Sequence, residues 1–296
     1  MTVAGDARGD WTDGAILRES ARWIHVPSAG TLVRDGERLL VLLPPREGPS
    51  RVWRSRPDRA GAEALILDTI ERTRKTGGTR LVWHTGDAVS PPFMDDLLAS
   101  HGFEKTEDLD VLAFELGADQ EPRLPTLSIP PNIHVSMVEN AEDLRRAHTI
   151  ESAVFPSSTL AEPDPATYLE MLSAFRNGTP ATAPGRNIPR AFRCLASVLD
   201  PVNGALKTVA TAGAELADRT LRLWGAGTLP AYRNLGAYRA LIGERCRQAH
   251  ARGATLALTK ANASTSSSIL KAAGFRAVAK ERRHALAVAP QHQGPA

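Results

Sequence analysis

Cysteine is scarce in this chain of 296 residues, and long apolar runs are absent. Its two cysteines, Cys194 and Cys246, stand far apart without the spacing of metal ligands. We expect buried free thiols in a reducing cytoplasm, which excludes a disulfide scaffold and gives no metal site. No apolar stretch approaches the roughly 20 residues of a membrane-spanning helix, and the first residues lack the basic and apolar regions of an export signal. The sequence therefore predicts a cytoplasmic protein without a membrane partner.

Aromatic residues are also few, at 5% of the chain. No predicted helix carries repeated Arg or Lys on one face, so the features that stack and hold bases are missing and we expect no nucleic-acid partner. The charges are unevenly divided: residues 1–125 carry 16 Lys and Arg against 21 Asp and Glu, whereas residues 126–296 carry 20 against 12. The cationic second half suits a small polyanionic ligand.

The chain is long enough for two domains. Residues 121–131 hold four prolines in eleven positions, a composition that favours an extended connector over a helix or an inner strand. We therefore predict a first domain over residues 1–121, a proline-rich linker over 122–131 and a second domain over 132–296. Whether the chain is a monomer or a homodimer stays open.

Both halves alternate helices and strands in a similar order, which predicts α+β domains with mixed sheets. In each half, a helix that ends at glycine is followed by a short apolar strand and then by a short helix closed by Gly-Phe. The closing segments, residues 97–103 and 269–275, match in length and pattern. We infer an internal repeat.

The second half contains a strand that ends near residues 227–230, a turn with Gly236 and an amphipathic helix. A glycine turn that leads directly into a helix points several unpaired backbone N–H groups, and the positive end of the helix dipole, at one place. An anion such as a pyrophosphate is expected there. A buried strand, Asn262, a serine-rich helix start over residues 264–268 and a closing Gly-Phe follow.

The Arg233-x-x-Gly236 core resembles the Q/R-x-x-G-x-G/A acyl-CoA signature of the GNAT (GCN5-related) N-acetyltransferase superfamily, and the segments after it follow in the order typical of that superfamily. The alternative is an α/β domain whose glycine turn is only a turn. The resemblance implies a tandem protein of two GNAT-like domains, each a central mixed β-sheet flanked by helices, with acetyl-CoA as cosubstrate.

The resemblance also implies which residues bind acetyl-CoA. Backbone groups of Thr228 and Leu229 would pair with the pantetheine, N–H groups of residues 234–239 would hold the pyrophosphate, and the arginines would add positive charge. The implied set is Thr228, Leu229, Arg233, Asn234, Leu235, Gly236, Ala237, Tyr238, Arg239, Asn262 and Ser267. Helix capping is the competing role for the serines and for Asn262.

Two positions depart from the family pattern. Tyr238 stands where the family has Gly or Ala, and Leu270 stands where many members have the tyrosine that protonates the departing thiolate. Tyr238 and Tyr232 are therefore the candidate general acids, with packing as the alternative role.

Glu215 is the candidate general base, because it lies near the end of the strand before the acyl-CoA strand, where family members often have a glutamate. A solvated surface role is the alternative. His148 and Glu151, one helical turn apart, are candidates for the acceptor side or for a surface pair. The Pro/Gly-rich loop over residues 176–189 is a candidate acceptor-binding segment, whose arginines favour an acceptor with a carboxylate or phosphate.

The first half departs further, because it has Pro57 and Asp58 in the corresponding turn. Proline removes an N–H group, and an aspartate at the helix start occupies the anion position as a cap. We interpret the first domain as a degenerate copy. The sequence thus predicts an acetyl-CoA-dependent N-acetyltransferase that acylates an amine of a small molecule or peptide by direct attack in the second domain. A non-catalytic acyl-CoA sensor or interaction module is the alternative.

Overall fold

The computed structural model describes residues 11–27, 29–44, 47–118, 123–155, 164–178, 182–183, 186–199 and 203–289. The elements in chain order are α1 (Asp13–Arg22), β1 (Thr31–Arg34), β2 (Arg38–Leu42), β3 (Ser50–Ser55), α2 (Ala62–Lys75), β4 (Arg80–Gly86), α3 (Met94–Ser100), β5 (Glu104–Glu115), β6 (Ile133–Met137), α4 (Ala141–Val154), α5 (Pro165–Asn177), β7 (Thr182–Ala183), β8 (Arg186–Asn187), β9 (Ala191–Leu199), β10 (Leu206–Ala217), β11 (Thr220–Thr228), α6 (Ala237–His250), β12 (Leu256–Asn262), α7 (Ser266–Ala272) and β13 (Arg276–Ala287). The predicted mixed α+β fold is confirmed. Among these helices, none is long and apolar enough to cross a membrane.

The chain forms two compact units that are interleaved along the sequence. Unit 1 comprises Met1–Asp13, Leu112–Lys260 and Ser268–Arg276, and unit 2 comprises Gly14–Val111, Ala261–Ser267 and Ala277–Ala296. The predicted domains are contiguous, whereas each unit takes short segments from the other half of the sequence. The domain boundaries inferred from the sequence repeat therefore stay a prediction.

Unit 2 contains a sheet in the order β1-β2-β3-β4-β13, continued by the first part of β5. β3 and β4 are parallel, and β13 is antiparallel to β4 through seven residue pairs, from Glu281 opposite Gly86 to Ala287 opposite Arg80. Apolar residues of α2 and α3 pack with those of β2, β3 and β4 in one buried core that includes Ile66 and Trp83. The last strand of the chain thus completes the sheet of the N-terminal half.

Unit 1 has the strand order β12-β11-β10-β9-β6, with the end of β5 beside β12. β11 and β12 are parallel, while β10 is antiparallel to both β9 and β11. Helix α6 packs against β9, β10 and β11, and α4 packs against β10 and β11. β5 therefore takes the place that β13 would take in a contiguous domain.

The internal repeat is visible at the ends of α3 and α7. Gly102 and Gly274 both adopt a left-handed φ, 81° and 98° respectively. The phenylalanine after each glycine donates its backbone N–H to the leucine five residues earlier, at 3.0 Å in both copies. Because glycine adopts this conformation without a steric cost, the two helices end in the same way for the same reason.

The proline-rich segment belongs to unit 1. The Ser128 carbonyl accepts a hydrogen bond of 2.8 Å from Arg239 Nε, and the Thr126 N–H donates to the Ala273 carbonyl at 3.0 Å. The described part, residues 123–131, is therefore hydrogen-bonded to the start of α6 and to the end of α7.

The role of β13 leads to a test with fragments. We expect residues 11–118 alone to fold incompletely, because β4 would expose an unpaired edge and the core would lose Val288. Joining residues 276–289 through a flexible Gly/Ser linker should restore a cooperative thermal transition, followed by near-UV circular dichroism. If both fragments melted with equal cooperativity, β13 would not be required by unit 2.

Candidate functional site

The sheet of unit 1 opens where β11 leaves β12. Their parallel pairing runs from Thr220 opposite Leu256 to Leu223 opposite Thr259, and the Thr259 hydroxyl donates to the Leu223 carbonyl at 3.1 Å. Beyond this point β11 continues to Thr228, and within the described part of the chain only β10 pairs with it there. One edge of residues 224–228 is therefore open to an extended ligand.

A β-bulge lies at the start of this open edge. Gly213 pairs with Trp224 and Thr211 pairs with Gly227, so two residues of β11 face a single residue of β10. The first of the two, Gly225, has a left-handed φ of 59°, the conformation that glycine supplies in this type of bulge. The bulge interrupts the regular ladder between β10 and β11 at this point.

Of the two residues predicted to pair with pantetheine, Thr228 and Leu229, the hydrogen bonds at the end of β11 favour Thr228. The Leu229 N–H donates to the Val209 carbonyl of β10 at 2.9 Å, so it is already used within the sheet. Adjacent residues of a strand direct their N–H groups to opposite edges, so the Thr228 N–H faces the open edge. Arg233 Nε reaches across to the Thr228 carbonyl at 3.4 Å.

The predicted anion cradle is the turn between β11 and α6, and anion binding there stays a prediction. Asn234 and Gly236 both have a left-handed φ, 65° and 96°, and such a pair turns successive N–H groups toward one side. The first bond within the helix runs from the Ala240 N–H to the Gly236 carbonyl. The N–H groups of residues 237–239 therefore have no partner inside α6, and the helix dipole adds positive potential.

Two residues near the start of α6 lie against the proline-rich segment. Arg239 donates to Ser128, and a Cβ placed on Gly236 would lie 2.6 Å from Pro130 Cδ. Any side chain at Gly236 would therefore disturb the loop itself as well as ligand binding. Leu235, by contrast, is 48% exposed and offers a cleaner position for a substitution.

Asn262 and Ser267 have internal roles. Asn262 Oδ1 accepts hydrogen bonds from the Ser264 N–H at 3.0 Å and from the Ser264 hydroxyl at 2.7 Å, which caps the turn before α7. The Ser267 hydroxyl is buried and donates to the buried Asp110 at 2.5 Å. These contacts support the capping role, and cofactor binding by these two side chains stays a prediction.

Two carboxylates are candidates for the base, Glu215 on β10 and Glu151 on α4. Glu215 faces Arg222 across β10 and β11, with an ion pair of 3.0 Å. Since Gly225 is three residues beyond Arg222, Glu215 lies about 10 Å from the bulge, at about 3.3 Å per residue. Glu151 of α4 lies closer, because its Oε1 would be 3.8 Å from a Cβ on Gly225.

Glu151 is buried and forms an ion pair with Arg193. Arg193 also lies over the Trp224 ring, 4.8 Å from its centroid. Burial raises the pKa of the Glu151 carboxyl above its ordinary value, while the charges of Arg193 and His148 oppose that shift. Nδ1 of His148 is buried and has no hydrogen-bond partner in the described chain. Glu151 thus lies on the inner side of α4, beside the bulge, and His148 is partly buried one turn before it, so the two are not a surface pair.

The candidate acids are less well placed. Leu270 is 1% exposed and offers no proton. Tyr232 lies beside Lys207, whose Nζ is 5.1 Å from the ring centroid, and Tyr238 lies in the first turn of α6, within electrostatic reach of the buried Arg245. The role of either as an acid stays a prediction.

The cysteines match expectation. Cys194 and Cys246 are buried and free, and burial raises the pKa of each thiol to about 12. In the part of the chain that the structure describes, no group of His, Cys, Asp and Glu could hold a metal ion.

The predicted acceptor loop lies largely outside the described residues. At its start, Arg176 forms an ion pair with Glu139, so its charge is already balanced within the chain.

The corresponding place in unit 2 is filled by the chain itself. The N–H of Ser55, at the end of β3, donates to the Val89 carbonyl at 2.9 Å, so the loop after β4 covers this edge. At the start of α2 the Asp58 carboxylate accepts from the Gly61 N–H at 2.7 Å. Gly61 has a right-handed φ of −84°. The Asp58 carboxylate therefore closes the turn that leads into α2, while the N-cap residue Gly61 has no side-chain cap.

Sequence reasoning missed the bulge and the Glu151–Arg193 pair. The bulge could have been found in the sequence, because Gly225 and Gly227 lie inside a predicted strand, where glycine often marks a bulge. The ion pair had none, because Glu151 and Arg193 are 42 residues apart and meet only through the packing of α4 on the sheet.

Comparison with known proteins bears on the fold. No protein-family profile and no curated protein matches the sequence. Solved structures do match: a GCN5-related N-acetyltransferase from Kribbella flavida has a TM-score of 0.60 at 19% identity, over 92% of this chain and 93% of that one. A GCN5-related N-acetyltransferase from Sphaerobacter thermophilus has 0.58 at 17%, over 86% and 81%.

A third structure is similar along its length. A tandem GNAT protein from the clavulanic acid biosynthesis pathway has a TM-score of 0.55 at 16% identity, over 94% of this chain and 89% of that one. The chain has the fold of a tandem GNAT protein. In the GNAT framework, the open edge of β11, the left-handed turn and α6 lie in the order that the sequence resemblance predicts.

The cradle predicts a charge-dependent effect at Leu235. A Leu235→Glu substitution places a carboxylate beside the first N–H groups of α6, and we expect the Kd for CoA to rise at least tenfold, about 1.4 kcal/mol, by isothermal titration calorimetry. Leu235→Lys should leave the Kd within about threefold. Leu169→Glu, at a leucine of α5 that is 41% exposed, controls for the added charge. Equal losses with Glu and Lys at position 235 would show that shape, and not charge, is being tested.

Proposed function

We propose that this protein transfers the acetyl group of acetyl-CoA to an amine of a small molecule or peptide, by direct attack of the amine on the thioester in unit 1. The observation that carries the proposal is the uninterrupted run from the open edge of β11 through the left-handed turn to the first N–H groups of α6. This run fits a long ligand that has an extended amide-bearing arm at one end and a pyrophosphate at the other.

The residues of the run have separate tasks in this proposal. The Thr228 N–H and carbonyl pair with the amide-bearing arm, and the N–H groups of residues 237–239 bind the phosphates. An N–H group released by the bulge at Gly225 donates to the thioester oxygen, which becomes more negative as the amine attacks. Each donor is a backbone group fixed by the sheet or by the helix, so little reorganisation is needed.

The attacking amine must lose a proton, and we propose Glu151 as the group that receives it. Its carboxylate is the one nearest the bulge, and its raised pKa brings it closer to the range useful for a base at neutral pH. Glu215, the base predicted from the sequence, remains the competing candidate at a greater distance. For the departing thiolate, Tyr238 stays the proposed proton donor.

Glutamine variants separate the two bases. Glu151→Gln should lower kcat roughly a hundredfold at neutral pH, because an amide cannot accept the proton, and should leave the Kd for acetyl-CoA within about threefold. Glu215→Gln should change kcat less than threefold. The reverse ranking would assign the base to Glu215. If thiol release stays at background for every amine tested while acetyl-CoA binds, the protein is a non-catalytic acyl-CoA module.

The pH profile gives an independent check. A base acts in its deprotonated form, so kcat/KM should rise with pH through the pKa of Glu151, which lies above the ordinary value of a glutamate. The Glu151→Gln variant should lack this rise, and its deficit should shrink at high pH, where the amine is already deprotonated. A variant with the same rising limb as the wild type would exclude Glu151 as the titrating group.

If unit 2 is a degenerate copy that does not bind acetyl-CoA, the number of acetyl-CoA sites per chain can be predicted. With Asp58 at the start of α2 and the loop after β4 bonded to Ser55, we expect calorimetry to give one acetyl-CoA site per chain. Two sites of comparable affinity would mean that unit 2 also binds acetyl-CoA.

A further inference from the structure

One face of the sheet in unit 2 carries cations and a tryptophan in adjacent rows. Arg283 lies opposite His84, and Trp53 is the next residue after Val52, which lies opposite Trp83. Trp53, His84 and Arg283 therefore share one row and one face, and Arg51, two residues before Trp53, shares that face. We call Arg51, Trp53, His84 and Arg283 the cationic face.

The side chains of the cationic face are in contact. The Trp53 and His84 rings stack with centroids 4.7 Å apart and planes at 23°. The Arg51 guanidinium carbon lies 5.9 Å from the centroid of the Trp53 ring. Arg51 and Trp53 are only partly buried, so solutes can reach them.

Several donors on this face have no acceptor. Trp53 Nε1 and Arg283 Nε are buried and lack a hydrogen-bond partner in the described chain. Arg51 has no ion pair and no hydrogen bond among the described residues; its contact is the ring of Trp53. The Arg283 guanidinium is paired through another nitrogen with Glu107. Buried donors are rarely left unsatisfied in folded proteins.

The electrostatic environment agrees with a missing negative charge. Burial, followed by the charges of Arg283 and Arg80, lowers the pKa of Arg51 to about 10, and Glu107 opposes this only in part. The pKa of His25 is lowered by burial and by Arg51. Unit 1 has a similar arginine over a tryptophan, Arg193 over Trp224, but there Glu151 supplies the balancing carboxylate.

We propose that the cationic face of unit 2 binds the oxyanion group, a carboxylate or a phosphate, of a small molecule. The guanidinium of Arg51 supplies the charge and a bidentate pair of donors. Trp53 Nε1 and Arg283 Nε are enclosed by the protein, so the ligand does not contact them directly. This site lies on the sheet of unit 2, whereas the proposed acetyl-CoA cradle lies at α6 of unit 1. The proposed oxyanion site and the proposed acetyl-CoA site are therefore two separate sites.

The test uses inorganic phosphate and acetate as separate probes on the full chain, with sodium chloride at equal ionic strength as the reference. We expect at least one probe to raise Tm and change tryptophan fluorescence beyond the effect of chloride. Arg51→Met should weaken that binding at least tenfold, whereas Trp53→Phe, which keeps an aromatic ring beside Arg51, should leave the binding within about threefold. Arg34→Met, at an exposed arginine of β1, should have no effect.

The outcomes identify the ligand group and the location. A response to phosphate alone supports a phosphate ligand, and a response to acetate alone supports a carboxylate. No response beyond chloride, or an unchanged response in Arg51→Met, would overturn the proposal. A response that Leu235→Glu removes and Arg51→Met keeps would belong to α6 and would overturn it as well.

Discussion

The separation of β11 from β12 after Leu223 is the constraint on which the candidate site depends. A strand inside a sheet normally has both edges paired, so backbone donors become available to a ligand only where a neighbour departs. Here β12 departs after Thr259, whose hydroxyl donates to the carbonyl of Leu223 at the last paired position. The bulge at Gly225 lies two residues beyond Leu223 on β11. The same strand then delivers the chain to the left-handed turn and α6, so one backbone path sets the relative positions of all the proposed donors.

Unit 2 shows how the same fold closes such a gap. Its β3 also pairs in parallel with the strand after the following helix, but the loop of β4 bonds to Ser55 where unit 1 is open. At the helix start, Asp58 provides from within the chain the negative group that α6 would take from a ligand. Satisfying backbone donors internally stabilises the fold without a ligand, and it also removes the donors from use. The repeat thus retains its architecture independently of binding.

Local patterns in the sequence predicted most of the strands, helices and turns, because alternation, glycine stops and caps are properties of neighbouring residues. Which strand pairs with which was not predictable from local patterns. Nothing in residues 276–287 says that they pair with β4, and a strand of this composition would suit the edge of β12 equally well. In the site, the turn at Gly236 was predicted because its chemistry is local, whereas Glu151 near Gly225 follows from the packing of a helix on a sheet. Asn262 and Ser267 were predicted as ligand contacts from their place in the pattern, and their hydrogen bonds are internal.

The pairing of Glu151 with Arg193 raises the question of how a carboxylate in an ion pair can also accept a proton. A buried pair is costly to break, because removing one charge leaves the other in a poorly solvated place. Here Arg193 keeps a second stabilising contact, since its guanidinium lies 4.8 Å from the centroid of Trp224, and a tryptophan face attracts a cation. When Glu151 is protonated, the Arg193 guanidinium therefore still has a stabilising contact with the Trp224 ring. Burial raises the pKa of the Glu151 carboxyl and Arg193 opposes that rise, so the two effects act in opposite directions on the proposed base.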